Sequence, residues 1–149
     1  MDKNGEIKIK KVHTALDLAV SAVMCAAGVG LYFVLPGWGI LFCFIGVLLF
    51  GFYKRAIKRE GENIALKEKS MDLAVGCREP LMKFLSGGED LPSFELSEDT
   101  DHLYLELYYN SDAPVVYARL YDVGHSKFEP ATEMQEIRSD RAAKLISLL

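Results

Sequence analysis

The sequence predicts a membrane α-helical hairpin, two transmembrane helices, followed by a small cytosolic α+β domain with an antiparallel sheet of about three strands. Three observations carry that expectation. From Leu18 to Tyr53, thirty-six consecutive residues bear no charge. Basic residues bracket this run on both sides, and the turn inside it has none. Beyond it, the hydrophobic period changes from helical to two, the period of a half-buried strand.

One straight helix of that length would be about 54 Å long, against a hydrocarbon core of about 30 Å. Pro36-Gly37-Trp38-Gly39 is therefore read as a turn at 36–39 between spans at 14–35 and 38–53, the second near the lower limit for crossing. Trp38 and Tyr53 suit the two interfaces. Lys3, Lys8, Lys10 and Lys11 precede the first span, and Lys54, Arg55, Lys58 and Arg59 follow the second. By the positive-inside rule both termini, including the N-terminal segment 1–13, face the cytoplasm of a cell whose inner membrane holds the hairpin. Lys10, Lys11, Lys54, Arg55, Lys58 and Arg59 are then expected to face headgroups. A cleaved signal peptide is disfavoured, because the apolar stretch exceeds the usual length and a second span follows directly. Cys25, Cys43 and Cys77 suggest no disulfide framework and no zinc pair.

Lipid supplies no hydrophobic drive for helix pairing, so close approach through small residues replaces it. Ala22, Ala26 and Gly30 in the first span and Gly39, Cys43 and Gly46 in the second are the expected packing faces. They would pair within the hairpin or between protomers of a homo-oligomer. Asp17 is placed in the first turn of the first helix, where an acid favours the positive end of the helix dipole and can pair with His13.

Residues 54–70 are rich in helix formers, with Ile57, Ile64 and Met71 at seven-residue spacing, and read as a basic juxtamembrane helix weakened at Gly61. The domain 71–149 carries a net charge of −8, against +3 for 54–69 and +1 for 1–53. Such acidity excludes nucleic-acid binding through phosphate neutralisation. Within it, a helix over Met71–Cys77 and another opened by Pro80 precede the strands. Phe94 and Leu96 mark a short strand. His102–Tyr109 alternates Leu103, Leu105 and Leu107 with Tyr104, Glu106 and Tyr108, and Val115–Tyr121 alternates likewise. A turn over Asn110–Pro114 makes these two an antiparallel hairpin. A third strand is expected around Ala131–Ile137, then a helix over Asp140–Leu149 capped by Ser139.

Motifs for catalysis are lacking. Gly28-Val29-Gly30 and Gly37-Trp38-Gly39 do not lie between a strand and a helix, as a phosphate loop requires. His102 and His125 near Asp99, Asp101 and Asp122 make a weak metal set, Cys77 has no neighbouring base, and Glu98–Asp99 lacks calcium-loop spacing. No cofactor is implied, and an enzyme is disfavoured for want of a clustered nucleophile, base or metal set. The outward hairpin face is the stronger candidate: Tyr104, Tyr108, Tyr117 and Tyr121 around Glu106 and Arg119. Tyr and Arg dominate binding hot spots, although such residues also stabilise a solvated sheet face unaided. The expected partners are the bilayer and another protein, itself a membrane protein in one version, recognised by an accessory subunit, assembly factor or inhibitor or immunity protein. The alternative is a channel or transporter subunit with Asp17 near its cytoplasmic mouth, disfavoured by the scarcity of polar lining residues.

Overall fold

A computed structural model describes residues 6–149; Lys3 of the N-terminal flank lies outside the described residues. Among these residues are four α-helices and seven strands of antiparallel sheet. The chain divides into two compact units, Ile9–Lys58 and Arg59–Leu149, the second joined by residues up to Lys8.

The first unit contains β1 (Ile9–Val12), α1 (Ala15–Tyr32), α2 (Pro36–Phe52) and most of β2 (Ala56–Arg59). Thr14 caps α1: its hydroxyl accepts from the Asp17 amide at 3.1 Å, and Asp17 accepts from the Thr14 amide at 3.0 Å. This reciprocal pair satisfies two amides that the first turn leaves without helical partners. Pro36 opens α2, where its fixed φ is already helical and its missing N–H costs nothing. The reversal of direction therefore falls at Phe33–Leu35, before the expected turn at 36–39.

The expected pair of transmembrane helices is corrected here. One helix near the N-terminus, α1, has the length and apolarity to cross a membrane, with 18 residues and mean hydropathy 1.7. The second, α2, has 17 residues and is shorter than such a span. Strands β1 and β2 flank the two helices, just outside the expected spans. Large apolar side chains of both helices are exposed, among them Leu16, Val23, Val29, Phe33, Trp38, Phe44, Val47 and Phe52.

The second unit contains β3 (Ala65–Leu73), α3 (Arg78–Leu85), β4 (His102–Asn110), β5 (Val115–Gly124), β6 (Lys127–Pro130), β7 (Gln135–Arg138) and α4 (Ser139–Ile146). Strands β3, β4 and β5 pair antiparallel in that order, and β6 and β7 both pair with β5, at its opposite ends. About three expected strands thus become seven: β1 forms in the N-terminal segment, and the other additions have two physical reasons. Residues 54–70 are not a juxtamembrane helix: they supply β2 and the start of β3 around a turn at Gly61, whose φ of +88° suits glycine. Seven register pairs with β4 override the helix propensity of Lys67–Met71. Second, β5 is ten residues long, so the expected third strand is joined by β6 on the same edge.

Smaller differences follow the same pattern. The expected helix over Met71–Cys77 is the end of β3 and a 3-10 turn at Val75–Cys77. Leu96 makes an isolated bridge to Leu73 rather than a strand. Ser139 is the first residue of α4, with Arg138 in the capping position. The hydrophobic core forms where the leucine face meets the helices: Leu73, Leu103, Leu105, Leu107, Val116, Ala118 and Leu120 pack with Leu81 and Phe84 of α3 and Ala142 and Leu145 of α4.

Candidate interaction surface

Because side chains alternate across a strand, burying the leucines of β4 sends Tyr104, Glu106 and Tyr108 to the opposite face. The register aligns them with β5 as Tyr104–Tyr121, Glu106–Arg119 and Tyr108–Tyr117. All six residues expected as a partner-binding set therefore share one sheet face in three cross-strand pairs.

The six differ in environment. Glu106 accepts from Tyr108 at 2.7 Å through one carboxylate oxygen and from Tyr121 at 3.1 Å through the other. Burial, and then the hydrogen bond to the Glu106 carboxylate, push the Tyr108 hydroxyl well above its ordinary pKa. Burial and the Glu106 charge raise Tyr121 as well. Both phenols thus remain neutral donors at physiological pH, with their rings held by the hydrogen bonds. The Tyr121 ring stacks on Phe128 of β6 at 4.6 Å between centroids, and Tyr104 lies within 6 Å of both, at 5.9 Å and 5.7 Å. The Arg119 guanidinium sits over the Tyr121 ring at 5.4 Å. Phe128 is 59% exposed, while Tyr104, Tyr108, Tyr121, Glu106 and Arg119 are half-buried.

Tyr117 departs from the expectation. It is 0% exposed and so cannot itself touch a partner. Arg59 donates to its hydroxyl at 3.3 Å, and the hydroxyl donates to Glu62 at 3.0 Å. The same guanidinium pairs with Glu62 at 3.1 Å and Glu136 at 2.8 Å, and Arg138 closes the group on Glu62 and Glu136. Burial raises the Tyr117 pKa, and Glu62 and Glu136 act in the same sense against the lowering effect of Arg59. Arg59 is therefore not a free headgroup contact but the centre of an ion-pair cluster covering Tyr117. Sequence reasoning missed Arg59, Glu62, Glu136, Arg138 and Phe128 at this face. The signal available was Gly61, which reads equally well as a turn that brings β3 back beside its neighbour.

A polar hollow of about 320 Å³ lies beside Arg119, lined by Glu6, Ile7, Arg119, Glu133 and Met134. The Arg119 Nε donates to the Thr132 carbonyl at 3.4 Å.

The other singled-out residues separate into pairs. His102 lies 3.4 Å from Asp72, and His125 lies 3.8 Å from Asp101, so the two imidazoles do not share a ligand set. Asp122 instead pairs with Arg78 through two hydrogen bonds. The Cys77 thiol is buried and directed to the Ser93 carbonyl. In the helical unit, Gly39, Cys43 and Gly46 do lie at the α1–α2 contact, but their partners are Gly28, Cys25, Ser21 and Tyr32. Ala22, Ala26 and Gly30 are exposed, and a Cβ on Gly30 would meet nothing within 4 Å. The offset arises because the close-contact row follows the seam through Ser21, Cys25 and Gly28. Lys10, Lys11 and Lys54 are exposed and Lys58 half-buried. Arg55 pairs with Asp17 at 3.1 Å, a partner other than the expected His13.

Compared with family models, characterised proteins and solved structures, the chain matches none.

Proposed function

We propose that this is a membrane-anchored, non-enzymatic protein whose sheet unit docks another protein. Its apolar helix α1 holds the chain in the lipid of a cell inner membrane, with the neighbouring basic residues on the cytoplasmic side. The support for anchoring is inverted burial: the large apolar residues of α1 and α2 are exposed, while the residues at the helix contact are small. Water does not tolerate a surface of that extent, and lipid does. The basic flanks favour the cytoplasmic side.

The observation that carries docking is the aromatic group Tyr104, Tyr121 and Phe128, fixed by Glu106 and overlaid by Arg119. Rings already immobilised lose little entropy on binding, and Tyr, Phe and Arg are the types that anchor interfaces. Anchoring to the same membrane as the partner raises their effective concentration, so a modest intrinsic affinity suffices. An accessory subunit, assembly factor or inhibitor would all use such a surface.

The test is co-purification from gently solubilised membranes, comparing the native chain with Tyr104→Ala/Phe128→Ala. The expected result is loss of a stoichiometric protein partner while thermal unfolding of the variant stays cooperative. Retention of that partner by the folded variant contradicts docking through this face.

A further inference from the structure

At the end of the helical unit where α1 begins and α2 finishes, a hollow of about 310 Å³ is lined by Asp17, Val20, Leu49, Tyr53 and Arg55. Its walls are of two kinds. Val20, Leu49 and the Tyr53 ring are apolar, and Arg55 supplies a guanidinium. Asp17 does not compete for a ligand: its side chain is 3% exposed, one oxygen accepts from the Thr14 amide and the other faces Arg55 Nε at 3.1 Å. The guanidinium is further positioned 4.6 Å over the Tyr53 ring, yet the Arg55 side chain is 53% exposed. Asp17 and Tyr53 thus hold Nε and one planar face of a guanidinium whose side chain stays about half exposed. The guanidinium fork matches the paired oxygens of a phosphodiester, which a lysine ammonium cannot engage bidentately.

We propose that this hollow binds one anionic phospholipid, with its phosphodiester on Arg55 and the start of an acyl chain against Val20 and Leu49. The inference rests on the membrane reading above. Charge complementarity to Arg55 suits an anionic headgroup, and the apolar floor favours a lipid over free phosphate, because free phosphate leaves Val20 and Leu49 uncovered. Exposed Lys54, one residue away but not lining the hollow, offers only diffuse attraction.

The full-length protein is reconstituted into vesicles of phosphatidylcholine alone or mixed with phosphatidylglycerol, released into mild detergent and weighed by native mass spectrometry. The native chain is expected to retain one phosphatidylglycerol. Arg55→Gln should lower that retention about tenfold, the equivalent of roughly 1.4 kcal/mol. Lys54→Gln, which removes the same charge, should retain it. Since Arg55→Gln leaves Asp17 without its ion partner, Asp17→Asn/Arg55→Gln provides a neutral pair that should also lose the lipid. Equal losses in Arg55→Gln and Lys54→Gln, or no retained lipid in the native chain, overturn the proposal. Displacement by inorganic phosphate at equal concentration assigns the site to free phosphate and overturns it too. A chain that enters neither kind of vesicle contradicts the membrane reading itself; one that enters both but retains no lipid contradicts only the site.

Discussion

The two units solve opposite packing problems with similar materials. In Arg59–Leu149 the leucines point inward, onto α3 and α4, and the polar and aromatic residues of the same strands point outward. In Ile9–Lys58 the contact between helices is made by glycine, serine and cysteine, and the large apolar residues are left outside. Burial of apolar area stabilises the sheet unit. Backbone proximity stabilises the helical unit: a Cβ on Gly39 would lie 2.5 Å from the Tyr32 backbone, and one on Gly28 would lie 2.6 Å from the Cys43 amide. Reciprocal thiol contacts from Cys25 and Cys43 to each other's carbonyls accompany that proximity. Hydrophobic content alone therefore does not define a core; what matters is which residue size occupies the contact.

The comparison breaks most severely at the glycines. Gly39→Val or Gly28→Val should abolish pairing of α1 and α2, because the added carbons meet backbone that cannot move aside. Gly30→Val, with open space around it, should be tolerated. Cross-linking between engineered cysteines on the two helices checks this, with Gly30→Val as the reference. Next comes the sheet core: Leu105→Ala removes a side chain 1% exposed and should cost about 2–5 kcal/mol in denaturant unfolding. The same truncation at exposed Val23 or Phe44 should leave the stability of the sheet unit unchanged.

A third, smaller effect lies at the covered tyrosine. Arg59→Met removes one of the two arginines that neutralise Glu62 and Glu136, together with the donor to Tyr117, and should destabilise the unit by about 1–3 kcal/mol. The smallest concerns pH. Tyr108, Tyr117 and Tyr121 all have pKa values raised above their ordinary 10.0 in the folded state. Above that pH the unfolded chain releases these protons before the folded one. Stability is therefore full below about pH 10 and falls as the pH climbs further. Tyr108→Phe should flatten that fall, as read by urea midpoints measured on either side of pH 10.

The same contrast explains what the residues disclosed in advance. The alternation in His102–Tyr109 and Val115–Tyr121 was legible because each strand has one leucine- or valine-rich face, and the cross-strand pairs Tyr104–Tyr121, Glu106–Arg119 and Tyr108–Tyr117 follow from it. Strand β3 was not legible, because Lys67, Glu68, Lys69 and Met71 favour a helix locally and become a strand only through pairing with β4. The cover over Tyr117 was hidden for a related reason: Arg59, Glu62 and Glu136 reach it from distant points of the chain. Arg59, at the edge of a basic run, looked like a lipid contact until that pairing placed it among carboxylates. The helix ends differ from the expectation mainly at the reversal, where α1 stops at Tyr32 and Pro36 already opens α2.

Alkaline-carbonate extraction of cell membranes carrying the full-length chain tests the central claim most directly. Retention in the pellet, with release only by detergent, is the predicted result, because the proposed anchoring surrounds the exposed apolar side chains of the helical unit with lipid. Recovery of a monodisperse chain in the detergent-free supernatant would contradict it.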